Sequence, residues 1–277
     1  MKLTLGFSTC PNDTFVFDAM IHGKIDTEGL TFDVILSDIE DLNRMAFEHA
    51  IQVTKLSYHA FAFVSENYIL LNAGSALGRK NGPLLISRFP VDPEMVKLQR
   101  IAIPGKFTTA NLLFSLFFPD ARDKREYLFS EIEDALLNDE VDSGVIIHEN
   151  RFTFEKRGLV KLFDLGERWE NKTGLPIPLG GIAADKSLPA DVLQKMDRVM
   201  AKSVAYALQN PDSSREFVKE YAKELDEEVI RQHIALYVND FTVDLGKEGR
   251  DAIVQFFREA RLMNIIPDGT EKIFLKK

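Results

Sequence analysis

Hydrophobic and polar positions group into short runs that predict strands and helices in alternation over the first 65 residues. Short apolar runs bounded by turn residues are typical of strands, and apolar positions spaced three and four apart are typical of helices. Strands are predicted at Leu3–Phe7, Thr31–Leu36 and Gln52–Lys55. Helices are predicted at about Phe15–His22, after a cap at Ser37 or Asp38, and from Ser57 through Val64. Such alternation predicts a parallel sheet with helices on its faces.

A second strand and helix series begins at Ile101, after a strand at Pro83–Ser87 and the break Arg88–Pro93. Its predicted strands are Ile101–Ile103, Glu126–Phe129 and Gly144–Ile147, and a capping box at Ser130–Glu133 predicts a helix between the last two. A stiff proline and glycine segment, Leu175–Gly181, follows and is interpreted as the return crossing to the first series. Helices are then predicted at about Pro189–Leu208, Ser213–Leu225, Glu227–Tyr237 and Lys247–Met263.

Two α/β series joined by two crossings predict a two-lobe fold of the type II periplasmic-binding-protein kind, with the ligand cleft between the lobes. Residues 1–88 plus 180–277 are predicted to form the larger α/β lobe, and residues 89–179 the smaller inserted α/β lobe. Ligands of open α/β sheets bind beyond the carboxyl ends of the strands. Four segments meet that rule: Ser8–Thr14, Lys55–Ser57, Lys106–Asn111 and His148–Arg151.

The segment Ile101–Phe114 has the form of a strand, a turn and a helix start. A helix start leaves backbone N–H groups unpaired and carries the positive end of the helix dipole. Hydroxyl groups from Thr108 and Thr109, with Lys106 in the turn, would complete an anion site. The alternative is that Thr108 or Thr109 only caps a core helix.

Composition narrows the classes of function. A net charge of -9 without a basic stripe argues against a nucleic-acid partner. No apolar run reaches the roughly 18 residues of a membrane span, and the first residues lack a secretory signal, so the cytoplasm is the expected location. The single cysteine, Cys10, permits no intramolecular disulfide, and no paired histidine motif indicates a metal site. The oligomeric state is not encoded in any recognisable pattern.

Several polar residues at strand ends are candidates for chemistry. His148 follows the buried run Gly-Val-Ile-Ile, and a neutral imidazole near pH 7 can take a proton. Asp13 is interpreted as the cap of the next helix, with a ligand contact as the alternative, and Asn12 lies beside it. Lys55 pairs either with an anion or with an acidic residue. Cys10 is interpreted as a packed small residue rather than a nucleophile. Structural or surface roles are expected for the remaining histidines, His22, His49, His59 and His233.

Several segments in order along the chain resemble the 1,4-dihydroxy-6-naphthoate synthases of the futalosine pathway of menaquinone biosynthesis. They are Ser8–Phe15, Thr54–Tyr58, Ala76–Arg79 with Gly82 and Pro83, Pro104–Ala110, Ile146–Thr153, Ser203–Ala207 and Tyr237–Asn239. The chain departs from that resemblance at Thr9, where proline is expected, and at Phe107, where a more polar residue is expected.

The resemblance implies a lyase that needs no metal or cofactor. Its substrate would be cyclic dehypoxanthine futalosine, and its products 1,4-dihydroxy-6-naphthoate and dihydroxyacetone. It implies His148 as the catalytic base and a small-molecule carboxylate substrate held by Lys55, Leu56, Ser57, Thr109 and Ala110. Asn12 and Asp13 complete the predicted substrate-binding set through their place at the first strand end.

The main alternative is a non-catalytic solute-binding protein for a small carboxylate, because the same fold serves both classes. The absence of a secretion signal and the placement of His148 favour the enzyme. For an enzyme of this kind, the rate is predicted to rise with pH, with an apparent pKa of about 6–7, the range of an ordinary histidine.

Overall fold

Residues 1–222, 226–269 and 272–276 are described by a computed structural model. The strands in these residues are β1 (Lys2–Phe7), β2 (Thr31–Leu36), β3 (Val53–Ser57), β4 (Tyr68–Leu70), β5 (Ala76–Gly78), β6 (Leu84–Ser87), β7 (Ile101–Ile103), β8 (Lys124–Glu126), β9 (Ser143–Ile146), β10 (Val160–Asp164) and β11 (Ile177–Asp185). They form two sheets, and helices pack against both.

The α-helices in the same residues are α1 (Pro11–Ile21), α2 (Ile39–Phe47), α3 (Tyr58–Val64), α4 (Thr109–Phe117), α5 (Ile132–Leu137), α6 (Asn150–Thr153), α7 (Leu165–Thr173), α8 (Ala190–Gln209), α9 (Arg215–Tyr221), α10 (Glu227–Tyr237), α11 (Asp240–Val243) and α12 (Gly246–Leu262). Short 3-10 helices lie at Pro93–Leu98, Phe129–Glu131, Phe154–Arg157 and Pro211–Ser214. Part of the predicted helix Ser213–Leu225, residues 223–225, lies outside the described residues.

The larger sheet has the strand order β2-β1-β3-β11-β4, and β5 pairs with β11. Strands β2, β1 and β3 run parallel, whereas β11 runs antiparallel to β3, β4 and β5. The smaller sheet has the order β10-β6-β9-β7-β8, in which β7 runs parallel to β8 and β9, and β6 runs antiparallel to β9 and β10. Each sheet therefore contains the parallel unit that the alternation in the sequence predicts.

Local signals account for the helix starts nearest the site. The side chain of Asp38 accepts a hydrogen bond from the Glu40 N–H at 2.8 Å and caps α2. The side chain of Thr108 accepts from the Asn111 N–H and caps α4. Each cap satisfies one of the backbone donors that a helix start leaves unpaired. The cap prediction for Thr108 is therefore confirmed, and Thr109 becomes the first residue of α4.

Four local predictions are wrong. The strand predicted at Glu126–Phe129 lies earlier, at Lys124–Glu126 (β8), and a 3-10 helix begins at Phe129. Helix α1 begins at Pro11, four residues earlier than predicted, because proline is well suited to the first helical turn. Asp13 consequently lies inside the first turn, and the capping position is occupied by Cys10. No capping box forms at Ser130, because α5 begins at Ile132 after a 3-10 turn and Glu133 instead accepts a hydrogen bond from Asn150.

The two passages between the sheets lie close together. Strand β5 belongs to the larger sheet and β6 to the smaller, so the first passage spans residues 79–83. The segment predicted as the returning crossing, Leu175–Gly181, instead opens β11, and the register of β11 against β5 shifts between Pro178 and Gly180. An irregularity of this kind accommodates a proline inside a sheet. The division into lobes at residues 88 and 180 stays a prediction.

The apolar core follows the two sheets. Trp169, Phe61 and Phe256 are fully buried in one cluster, which includes strands of both sheets and helix α12. A second cluster joins β1 to the buried faces of α1 and α8, and a third lies under α5 and β9. Among the described helices, none is both long and apolar enough to cross a membrane.

Candidate active site

A cavity lies between the two sheets and contains about 640 Å³ of empty space, part of it open to solvent. The end of β3 and the segments that follow β1, β7 and β9 all contribute to its wall, as the strand-end rule predicts. Its lining residues are Ser8, Asn12, Asp13, Ile39, Lys55, Ser57, Ala76, Asn81, Pro83, Thr108, Thr109, Ala110, Ile147, His148, Leu179, Gly180 and Tyr237. The structure therefore brings together every predicted site residue except Leu56.

His148 lies just beyond β9 with a positive φ of 57°, a conformation that few residues other than glycine adopt. Its ring stacks on that of His233, with centroids 5.9 Å apart, and contacts the edge of Phe129. Within the described residues, neither ring nitrogen has a hydrogen-bond partner. Burial lowers the pKa of His148 to about 4, with Asp13 opposing and Lys55 adding to the shift. The imidazole is therefore neutral at physiological pH and available to accept a proton.

A chain of polar contacts runs behind His148. The Asp13 carboxylate accepts hydrogen bonds from Lys55 at 2.9 Å, from the Ser8 hydroxyl at 2.7 Å and from the Asn12 amide at 2.9 Å. The Asn12 carbonyl oxygen lies 2.8 Å from Nε2 of His233, which places the ring hydrogen of His233 on that nitrogen. Asp13 is therefore a buried anchor that orders both Lys55 and, through Asn12, the ring beneath His148.

The two halves of the molecule, one built on each sheet, meet at Glu149 and His233. Nδ1 of His233 lies 3.9 Å from Oε2 of Glu149, and neither atom has a hydrogen-bond partner among the described residues. Burial raises the pKa of Glu149 and holds the pKa of His233 well below its usual range. The ring of His233, against which His148 packs, therefore carries no positive charge near neutral pH.

Lys55 and Ser57 extend from the central strand β3 into the cavity. The Lys55 ammonium donates to Asp13 and to the Gly74 carbonyl, and an ammonium has three hydrogens, so one remains for a ligand. Ser57 is held by Asn43, whose amide donates to the Ser57 hydroxyl at 3.2 Å and accepts from its N–H at 3.0 Å. The hydroxyl hydrogen of Ser57 has no partner among the described residues. Both side chains can therefore donate to a bound oxygen.

The start of α4 forms the other wall. The N–H groups of Thr109 and Ala110, the first two residues of α4, have no partner in the described part of the chain. The Thr109 hydroxyl donates to the Leu179 carbonyl at 2.6 Å, which uses its hydrogen. The two backbone N–H groups and the helix dipole, rather than that hydroxyl, are therefore the donors that this helix start offers to an anion.

Other residues from the sequence analysis lie away from the cavity wall. Leu56 is fully buried in the core, on the opposite side of β3 from its lining neighbours. Phe107 packs in a cluster with Phe47 and Phe63, and Thr9 is exposed, so the two departures from the family pattern do not line the cavity. Burial raises the pKa of the Cys10 thiol well above its usual range, which keeps it protonated and unsuited to nucleophilic attack.

Four residues at or beside the site were not singled out for a role there by the sequence analysis: Asn81, Glu149, His233 and Tyr237. His233 and Tyr237 are four residues apart, so they share one face of α10, and their rings lie 4.7 Å apart. That spacing of four residues is visible in the sequence and indicates that the two side chains lie together. The place of Asn81 depends on the path of the passage between the sheets, which no local pattern shows.

Taken together, the cavity offers one unpartnered imidazole, two hydrogen-bond donors on β3 and a helix start suited to an anion. Cross-contacts such as the hydrogen bond from His59 to the Thr108 carbonyl join the two halves around it. Among the described residues, no three His, Cys, Asp or Glu side chains are grouped to hold a metal ion. The arrangement can bind a carboxylate, remove a proton nearby and stabilise a developing oxyanion.

Comparison with known proteins gives relatives along almost the whole chain. A family model described as menaquinone biosynthesis matches residues 3–262. The 1,4-dihydroxy-6-naphthoate synthase of Thermus thermophilus is 41% identical over 273 residues, which cover 99% of each chain. The enzyme of the same name from Streptomyces coelicolor is 42% identical over 270 residues, covering 96% of this chain and 95% of that one.

Solved structures agree on the fold. A protein of Archaeoglobus fulgidus superimposes with a TM-score of 0.91 at 35% identity, covering 96% of this chain and 98% of that one. The alkanesulfonate-binding protein of Xanthomonas axonopodis gives a TM-score of 0.71 at 12% identity, covering 99% of this chain and 96% of that one. At such low identity the second match shows the fold alone. The predicted periplasmic-binding-protein-like fold class is confirmed.

Proposed function

The chain belongs to the 1,4-dihydroxy-6-naphthoate synthase family, lyases of menaquinone biosynthesis, and we propose that it cleaves cyclic dehypoxanthine futalosine with His148 as the general base. The products would be 1,4-dihydroxy-6-naphthoate and dihydroxyacetone. The observation that carries this proposal is the neutral, unpartnered ring of His148 in the wall of the cavity that also contains the start of α4. A location in the cytoplasm is part of the same proposal.

In the proposed reaction the substrate carboxylate binds the N–H groups of Thr109 and Ala110 at the positive end of α4. His148 removes a proton, the carbon–carbon bond next to the carbonyl breaks, and enolisation gives the dihydroxynaphthoate. Lys55 and Ser57 donate to the oxygen on which negative charge develops. Aromatisation of the ring provides much of the driving force.

Geometry supports each of these roles. The positive φ of His148 directs the chain sharply after β9, and a strained conformation of this kind is characteristic of functional positions. The hydrogen bonds of Lys55 to Asp13 and Gly74 fix the direction of its ammonium before substrate arrives. Closure of the two halves around bound substrate would exclude water from the reacting carbonyl and strengthen the electrostatic interactions there.

The test is turnover of cyclic dehypoxanthine futalosine by wild type and His148→Asn, followed by naphthoate absorbance. Asparagine tolerates the left-handed backbone of this position, so the fold should persist. We expect turnover to fall at least about a hundredfold, the usual minimum for loss of a general base, and affinity to change by no more than about tenfold. His49→Asn is the matched control, because His49 also has a positive φ, 53°, and is exposed outside the cavity.

Each outcome separates the candidate functions. If His148→Asn turns over at nearly the wild-type rate, the base is another residue. If wild-type protein binds the substrate but never converts it, the chain is a solute-binding protein in function. A rate loss in both His148→Asn and His49→Asn would indicate general damage to the fold, and a melting temperature measured for each variant detects that.

A further inference from the structure

Asn81 is a fully buried amide in the cavity wall, with 1% of its surface exposed. Among the described residues, neither its Nδ2 nor its Oδ1 has a hydrogen-bond partner. Leaving a buried amide unpaired costs free energy, so such groups in folded proteins are rare and call for an explanation. Because both ends of the amide are unpaired, exchanging the nitrogen and oxygen positions would not remove the problem.

The surroundings of Asn81 hold its side chain in place without providing hydrogen-bond partners for its amide. A Cβ atom on Gly78 would lie only 2.7 Å from Nδ2 of Asn81, so the glycine makes room for the amide. The nearby amide of Asn239 is already used, because it donates to the Leu77 carbonyl and accepts from the Phe241 N–H. The neighbouring protein groups therefore leave the amide of Asn81 available to a ligand.

The chain on either side of Asn81 is fixed by hydrogen bonds. Arg151 donates to the carbonyl oxygens of Lys80, at 2.9 Å, and of Gly82. The Lys80 N–H donates to Glu170 at 2.6 Å. An amide on such a restrained segment is preorganised, so ligand binding does not cost the conformational entropy of ordering it.

We infer that Asn81 is a specificity-determining residue that recognises a hydroxyl group of the substrate, and this inference rests on the proposed function. Oδ1 accepts hydrogen bonds only, so its partner must carry a hydrogen. A carboxylate or a ketone oxygen can accept from Nδ2 but cannot satisfy Oδ1. A hydroxyl group can donate and accept, and the part released as dihydroxyacetone carries such groups. Asn81 therefore binds that part, while α4 binds the carboxylate.

The test compares two substitutions of the same shape, Asn81→Leu and Asn72→Leu. Asn72 is also buried, but its amide donates to Asp197, and it lies outside the cavity. For Asn81→Leu we expect the KM for the substrate to rise at least tenfold with little change in kcat, and Tm to be unchanged or higher. For Asn72→Leu we expect the reverse, a lower Tm with wild-type KM, because the substitution removes the side-chain hydrogen bonds of Asn72 with Asp197 and Arg250.

The reaction product gives a second arm, because 1,4-dihydroxy-6-naphthoate lacks the three-carbon part. We expect its Kd, measured by calorimetry, to be the same for wild type and Asn81→Leu. Equal weakening of product and substrate would overturn the assignment, since Asn81 would then contact the ring system. A wild-type KM in Asn81→Leu would overturn the inference altogether.

Two further outcomes keep the test decisive. If Asn81→Leu does not fold, Asn81→Ala also removes the amide and should raise KM in the same way. A wild-type KM in that variant overturns the inference. Wild-type protein that binds the substrate without converting it contradicts the proposed function alone. In that case Asn81→Leu should still raise the Kd for the substrate tenfold, and an unchanged Kd contradicts the inference.

Discussion

The pH dependence of turnover tests whether His148 works from inside the cavity. Burial lowers the pKa of His148 to about 4, whereas an ordinary histidine titrates near 6.5. The positive charge of Lys55 adds to this lowering, and the negative charge of Asp13 opposes it. A base is active in its neutral form, so activity is lost as pH falls through its pKa. We therefore expect kcat/KM to be flat from pH 8 to pH 6 and to fall only below about pH 5.

The size of the effect separates the two possibilities clearly. A difference of 2.5 pH units corresponds to about 3 kcal/mol between the protonated and neutral forms, at roughly 1.4 kcal/mol per unit. At pH 6, about 99% of an imidazole with a pKa near 4 is neutral, compared with about a quarter for a pKa near 6.5. Between pH 8 and pH 6 the buried base should lose almost no activity, and an ordinary one should lose roughly fourfold.

The assay is the initial rate of naphthoate formation at substrate concentrations well below KM, at constant ionic strength. Under these conditions the profile reports groups of the free enzyme. The window from pH 5.5 to pH 8 avoids titration of an ordinary substrate carboxylate, which occurs near pH 4. The melting temperature at each pH, and the residual rate of His148→Asn, control for unfolding and for catalysis by other groups.

A fourfold decline between pH 8 and pH 6 would refute the reasoning. It would mean that His148 is hydrated in the free enzyme, with the two halves further apart than in this structure. The sequence alone predicted an apparent pKa of about 6–7, because an isolated histidine motif carries no information on burial. The structure revises that prediction, since the ring packs between Phe129 and His233.

Two further predictions concern stability, both measured by urea unfolding. Gly82→Ala should lower the free energy of unfolding by at least about 1–3 kcal/mol, because its Cβ would lie 2.3 Å from the Cα of Gly166. Gly249→Ala in α12 is the control, and an equal effect of the two would contradict the packing argument. Asp13→Asn should lower it by about 3–5 kcal/mol, because the buried Lys55 loses its carboxylate partner. A loss below about 1 kcal/mol would show that Lys55 finds another partner or water.

Features encoded within a few residues were predictable from the sequence. Asp38 and Thr108 were identified as possible caps because a cap needs only its own side chain and the N–H groups that follow it. The strand Thr31–Leu36 was predicted with its observed limits for a similar reason, since its alternating pattern lies between clear turn residues. The convergence of strand ends on one cavity followed from sheet topology rather than from any residue.

Features that depend on distant partners were not predictable. The segment Leu175–Gly181 was interpreted as a crossing because proline and glycine are poor strand residues, yet pairing with β3 and β5 makes it part of β11. Asp13 was interpreted as a cap, but its carboxylate is occupied by Lys55, 42 residues away. His233 is 221 residues from Asn12, to which it is hydrogen-bonded. Such contacts are set by the assembled fold, which no local pattern encodes.

The polar chain beneath His148 bears on how the proposed base would work at low pKa in this cavity. A proton taken by His148 creates a buried positive charge, which a second charged imidazole stacked upon it would oppose. His233 is kept neutral by burial and, secondarily, by the proximity of His148. The bound carboxylate of the proposed substrate would add a negative charge and favour the protonated form of His148. Binding of that substrate would therefore raise the pKa of His148, and we expect the kcat profile to titrate at a higher pH than the profile of kcat/KM.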